Sequence, residues 1–157
     1  MKGPANTQSA GGHSVDILLV EDSEADIKIT LRAFSKAKIQ RSIFVVRDGQ
    51  EALDYMFHQN EYADESKFPY PAIIVLDIQL PKLTGFEVLQ ALKKDDKIKV
   101  TPVVVLTSSK NDKDVIQSYD YGAVSFIQKP IDYQEFEKVV EGFNVYWHVI
   151  SKLPNFK

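Results

Sequence analysis

The chain contains no cysteine, which excludes a disulfide framework and a thiolate metal site and suits a reducing, cytoplasmic setting. It also lacks a dominant sign of charge: 19 Lys and Arg against 22 Asp and Glu leave a net charge of −3. That balance provides no electrostatic footprint for nucleic acid or for an anionic membrane surface. No apolar run approaches the ~20 residues of a membrane span. The opening segment, Met1 to Ser14, has no apolar stretch of the kind a secretory leader needs. Its Gly, Ser, Ala and Asn content reads as a disordered arm or an appended remnant outside the fold. The 157 residues otherwise have the composition of one globular domain, long enough to bury roughly two thirds of its unfolded surface.

What is present is a set of short apolar runs. Ile73-Ile74-Val75-Leu76 leads straight into Asp77, and Pro81 then ends regular structure. A continuous apolar run closed by a turn signal is the pattern of a parallel strand buried on both faces. Val15 to Val20 repeats it and ends in Glu21-Asp22; Ser42 to Val46 ends at Asp48-Gly49. Pro102 to Leu106 runs into Thr107-Ser108-Ser109, and Val124 to Gln128 into Lys129-Pro130. Between these runs lie helical patterns. Ile27, Leu31 and Phe34 share one face behind a Ser23 cap; Ala52, Leu53 and Phe57 mark a short helix; Val88, Leu89 and Leu92 point inward from a third. A fourth helix, from Asp112 to Tyr121, is stopped by Gly122, and Asp132 with Glu135 has the spacing of a capping box for a long final one. Residues Gln59 to Pro71 read as a long loop at the amino end of the sheet, away from any site at the carboxyl end. Five strands alternating with helices predict an α/β doubly wound five-stranded parallel sheet in a single domain over residues 15–152, followed by a tail, 153–157.

In such sheets the chemistry gathers at the carboxyl ends of the strands. Those ends carry Glu21 and Asp22, Asp77, Thr107 with Ser108, and Lys129. Crowded carboxylates repel unless a cation joins them, and an all-oxygen acidic cluster suits a hard ion such as Mg²⁺. A hydroxyl and an ammonium beside it complete a site for a small anion with several oxygens. Asp77 is the candidate nucleophile, because a carboxylate can accept a phosphoryl group as an acyl phosphate. Each residue alone has a plainer reading as a helix cap, a strand-end hydroxyl or a surface lysine. His13, His58 and His148 fall in separate elements and suggest no metal or catalytic role.

Taken together, Glu21-Asp22, Asp77-Ile78-Gln79-Leu80-Pro81 with Gly85, Thr107 and Lys129-Pro130 resemble the receiver domain of two-component response regulators, in identity and in interval. The resemblance spans about Val15 to Ile150 and implies the flavodoxin-like strand order 2-1-3-4-5. It implies that Asp77 is phosphorylated by a sensor histidine kinase or a phosphotransfer protein, with no enzymatic activity beyond its own phosphorylation and dephosphorylation. It further implies that Asp22, Asp77 and the Gln79 backbone carbonyl bind Mg²⁺, with Glu21 acting through water. Thr107 would then bond the phosphoryl oxygens and Lys129 pair with them, while a cis Lys129-Pro130 bond places the lysine. Phe126 occupies the aromatic switch position, so that Thr107 moving toward the phosphoryl group lets the ring turn inward and repacks the last helix-strand-helix face. Gln79 and Ser109 flank the acyl phosphate in this family. A phosphorelay intermediate, passing the group onward, is the alternative within the same family.

The final helix has more apolar surface than one sheet can cover. Phe136, Val140, Phe143, Trp147 and Ile150 form one stripe, while Val139, Val145, Tyr146 and Val149 lie off it. A second buried surface is expected there, most simply a homodimer through Val139, Phe143, Tyr146 and Trp147. Tyr146-Trp147 and Leu153-Pro154-Asn155 resemble single-domain regulators paired with bacterial phytochrome sensor kinases, so output is expected through protein contact or phosphotransfer. A phosphatase of the haloacid dehalogenase class would need a second aspartate where Gln79 stands. A flavin protein of this topology would need a phosphate loop where Glu21-Asp22-Ser23-Glu24 stands, and a receiver without chemistry would lack a key group.

Overall fold

The computed structural model describes residues 16–36, 42–108, 111–132, 134, 135 and 138. In order these are β1 (Ile17–Val20), α1 (Glu24–Lys36), β2 (Ile43–Val46), α2 (Gly49–Met56), a 3₁₀ turn (Asn60–Tyr62), β3 (Ile73–Asp77), α3 (Gly85–Lys94), β4 (Val103–Thr107), α4 (Asp112–Asp120) and β5 (Ser125–Gln128). The sheet is wholly parallel, in the order β2-β1-β3-β4-β5. The predicted fold and strand order are those observed.

Alternation along each strand divides the core into two layers. Leu18, Val20, Phe44, Ile74, Leu76 and Val105 face the layer closed by α2 and α3. Ile17, Leu19, Val45, Val75, Val104 and Leu106 face the layer that takes Ile27 and Phe34 of α1. Both faces are dry, which is why β1 to β4 are apolar at successive positions. In α3 the residues turned inward are Val88, Leu89 and Leu92, as predicted. In α2 they are Ala52, Tyr55 and Met56, with Leu53 and Phe57 only half-buried. Tyr55 is drawn inward by the following segment, whose Tyr62 and Phe68 rings pack against it.

That segment is not a plain loop. Tyr62 and Phe68 stack against Phe44 and Tyr55, with ring centroids 4.8 to 6.0 Å apart. The Tyr55 hydroxyl donates to the Pro69 carbonyl at 2.7 Å, and Tyr62 donates to the Glu51 carboxylate. His58 meets the Phe68 carbonyl through Nε2 at 2.7 Å and stands edge-on to Tyr70, a packing role. At the end of α4, Gly122 adopts φ 103°, a left-handed stop that a side chain would strain. Asp132 accepts from the backbone amides of Gln134 and Glu135, as a helix cap does. Val139, Phe143, Tyr146 and Trp147, on which an interface was expected, lie outside the described residues, as does Ser109.

Candidate phosphoacceptor site

Parallel strands bring their carboxyl ends to one edge, and that edge collects the predicted groups. Glu21 follows β1, Asp77 and Thr107 are the last residues of β3 and β4, and Lys129 follows β5. Glu21, Asp77 and Thr107 are buried, at 0%, 2% and 0% exposure, while Asp22 is exposed. Burial of carboxylates is costly unless they are paired. The pairing group is Lys129, whose Nζ lies 2.6 Å from Glu21 Oε1, 2.9 Å from Asp77 Oδ2 and 3.0 Å from Asp26 Oδ2. Glu21 Oε1 accepts no well-directed hydrogen bond and meets the ammonium only as an ion pair. Its other oxygen accepts from the Ser23 amide at 3.2 Å.

Backbone geometry aims these groups. The Lys129 amide donates to the Thr107 carbonyl at 2.7 Å, and the Lys129-Pro130 bond is cis, as expected. Asp77 Oδ1 accepts from the Gln79 amide at 2.9 Å, so the turn after β3 curls around the carboxylate. Helix α3 starts directly beneath that turn. A methyl group on Gly85 would lie 2.3 Å from Ile78 Cα and 2.5 Å from the Asp77 carbonyl oxygen. Only glycine allows the helix so close. Ser108 donates to Gln79 Oε1 at 2.9 Å, joining the turns after β3 and β4 above the carboxylate.

The charges shift one another. Burial pushes the Glu21 carboxyl up to about 7; Lys129 pulls it down, and neighbouring Asp77 pushes it up again. Burial also opposes the charge on Lys129, yet its bonds to Glu21, Asp77 and Asp26 hold the ammonium above the ordinary lysine range. Glu21, Asp22 and Asp77 each offer a carboxylate oxygen, and the three oxygens lie within 4.8 Å of one another. A cluster of hard oxygen donors, one of them without a well-directed hydrogen bond, fits a small divalent cation.

Phe126 pairs in register with Val105, two residues before Thr107, and is half-buried against the layer of α2 and α3. Sequence reasoning passes over Asp26, because an acid in the first turn of a helix reads as a favourable partner of the helix dipole. Its position four residues after Asp22, in the first turn of α1, is the signal that places it above the strand ends.

Residues 17–141 match the Response regulator receiver domain family. The chain belongs to that family. Response regulator Rcp1 of Synechocystis is 37% identical over 138 residues, covering 88% of this chain and 92% of that protein. The solved Mn(2+)-bound form of Rcp1 has a TM-score of 0.70 at 37% identity, over 85% of this chain and 94% of that one. Bacteriophytochrome response regulator RtBRR has a TM-score of 0.77 at 36% identity, over 91% of this chain and 86% of that one. The phosphorylated cyanobacterial phytochrome response regulator RcpA has a TM-score of 0.71 at 36% identity, over 90% of this chain and 99% of that one. This receiver therefore has phytochrome-linked relatives, and membership of the family implies a histidine kinase partner. Among the described residues, no helix is long and apolar enough to cross a membrane.

Proposed function

We propose that this receiver accepts a phosphoryl group on Asp77 from a sensor histidine kinase of the phytochrome class, in a reaction that requires Mg²⁺. The observation that carries the reading is the posture of Asp77. It is buried at a strand end, one oxygen is held by the Gln79 amide and the other by Lys129, and two more carboxylates stand beside it. A carboxylate so held loses little orientational freedom on reaction. One Asp77 oxygen attacks phosphorus, the bond from phosphorus to the donor's imidazole nitrogen breaks, and the nitrogen keeps the electron pair. Glu21, Asp22, Asp77 and the Gln79 carbonyl would hold the cation, which supplies positive charge against the phosphoryl oxygens. Lys129 neutralises a further oxygen, and the Thr107 hydroxyl at the end of β4 moves to bond another. That movement gives Phe126 its room to turn, and the face made by α4, β5 and the segment after them shifts population. The names of RtBRR and RcpA support the partner, and the Mn(2+)-bound form of Rcp1 supports a divalent cation.

Acetyl phosphate with Mg²⁺ should add one phosphoryl mass to the wild-type protein and none to Asp77→Asn. Equal labelling of both would remove the assignment. The apolar residues off the main stripe of the final segment, Val139, Val145, Tyr146 and Val149, support a homodimer through Val139, Phe143, Tyr146 and Trp147. Sedimentation should find a dimer that Trp147→Ala weakens; a monomer at high concentration, with and without phosphorylation, would overturn it.

A further inference from the structure

We infer that Asp26 is the exchangeable partner of Lys129: it holds the ammonium in the resting protein and gives it up to a phosphoryl oxygen. An ammonium has three donors and no more. Three carboxylates stand at 2.6, 2.9 and 3.0 Å from Lys129 Nζ, Asp77 and Asp26 as hydrogen-bond acceptors and Glu21 as an ion pair, so the ammonium is crowded by anionic oxygen before any phosphoryl group arrives. A phosphoryl group on Asp77 adds three strong acceptor oxygens beside the ammonium. Crowding of that kind favours release of the carboxylate that costs least.

The three differ in what release costs. Glu21 is fully buried, and its Oε1, which accepts no directed hydrogen bond, has the ammonium 2.6 Å away as its ion-pair partner. Asp77 carries the incoming group itself. The Asp26 side chain is 37% exposed and can be solvated as it leaves. Its place in the first turn of α1 keeps it beside the positive end of the helix after release.

The local wiring of α1 supports the same role. Ser23 caps the helix by accepting from the Asp26 amide at 3.2 Å, so Asp26 stands where an acid usually reaches back to the cap's own amide. Here that amide is already taken by Glu21 Oε2. The Asp26 carboxylate is thereby turned away from its own helix and onto a lysine 103 residues along the chain. Asp26 is a positioning residue: it touches neither metal nor donor and acts through Lys129. The exchange also carries the phosphorylation signal to the exposed start of α1.

The inference rests on Asp77 being the phosphoacceptor, and the experiment separates the two. Beryllofluoride, a phosphoryl mimic, is titrated at saturating Mg²⁺ and followed by ¹⁵N amide signals of Asp77 and Thr107 and by the ¹³C carboxyl signal of Asp26. In the wild type the Asp26 carboxyl signal should move together with the amides. Asp26→Asn should bind beryllofluoride more tightly, by about two- to fivefold, the range of one partly exposed ion pair. Glu24→Gln removes the same charge two residues away, from a carboxylate paired with Arg47 rather than Lys129, and should change nothing. Asp26→Glu should return the affinity toward wild type. If the wild type fails to bind, the phosphoacceptor reading falls and the exchange falls with it. If it binds while the Asp26 signal stays still, or Asp26→Asn does not bind more tightly than Glu24→Gln, the exchange alone is overturned.

Discussion

Replacing Gly85 by alanine sets two effects against each other, and their sizes decide the outcome. Alanine in place of glycine at a helical position favours the helix by about 0.5–1 kcal/mol. The added carbon, however, would sit 2.3 Å from Ile78 Cα, 2.5 Å from the Asp77 carbonyl oxygen and 3.0 Å from the Ile78 nitrogen. All three are backbone atoms, so no side chain can swing aside. Reaching ordinary contact needs a shift of more than about 1 Å. If α3 moves, Val88, Leu89 and Leu92 lose part of the packing that leaves them 0 to 1% exposed. If the turn moves, the Gly85 amide loses its 3.0 Å bond to the Ile78 carbonyl, and Asp77 leaves its place beside Lys129. Overpacking of this kind costs about 1–3 kcal/mol, with backbone clashes toward the top of the range. The net expectation is a loss of about 2 kcal/mol, or about 4–8 °C in Tm for a domain of this size. Urea and thermal melts read the stability, and beryllofluoride binding reads the posture of Asp77, which should be weakened. A Gly85→Ala protein as stable as wild type, with unchanged binding, would refute the reasoning from close approach.

Two further outcomes follow from the site and its supports. In EDTA, Glu21 holds a proton in the folded state up to about 7 that the unfolded chain releases near 4.5. Stability is therefore highest below that window and falls as pH rises through it, by at most ~1.4 kcal/mol per pH unit for one proton. Urea melts at pH 5 and pH 7.5 should show this fall in the wild type and a smaller one in Glu21→Gln; equal slopes would refute it. Tyr62→Phe removes the hydroxyl bonded to Glu51, and Glu51 also accepts from the Arg47 amide at 2.7 Å. The cost should be about 1–2 kcal/mol in urea melts, with Asp77 labelling retained; an unchanged midpoint would place the Glu51 carboxylate in water.

The fold was legible because its signals are local. A strand buried on both faces must be apolar at successive positions, and four of the five runs here lead into a polar or charged group that needs a partner when buried: Glu21, Asp77, Thr107 or Lys129. Parallel pairing then carries those residues to one edge whatever else the chain does, so the membership of the site also lay in the sequence. Which partners those residues take did not. That Asp26 rather than Asp22 meets Lys129 depends on how α1 settles on the sheet, which joins two residues 103 positions apart. Gly85 shows its reason only when α3 is seated against the Asp77-Ile78 backbone. The segment before β3 reads as polar loop because its few aromatic residues have no periodicity; Phe44 and Tyr55 supply the surface that orders it. Periodicity and strand ends are properties of neighbouring residues, whereas an ion pair or a ring contact between distant elements exists only once packing has brought them together.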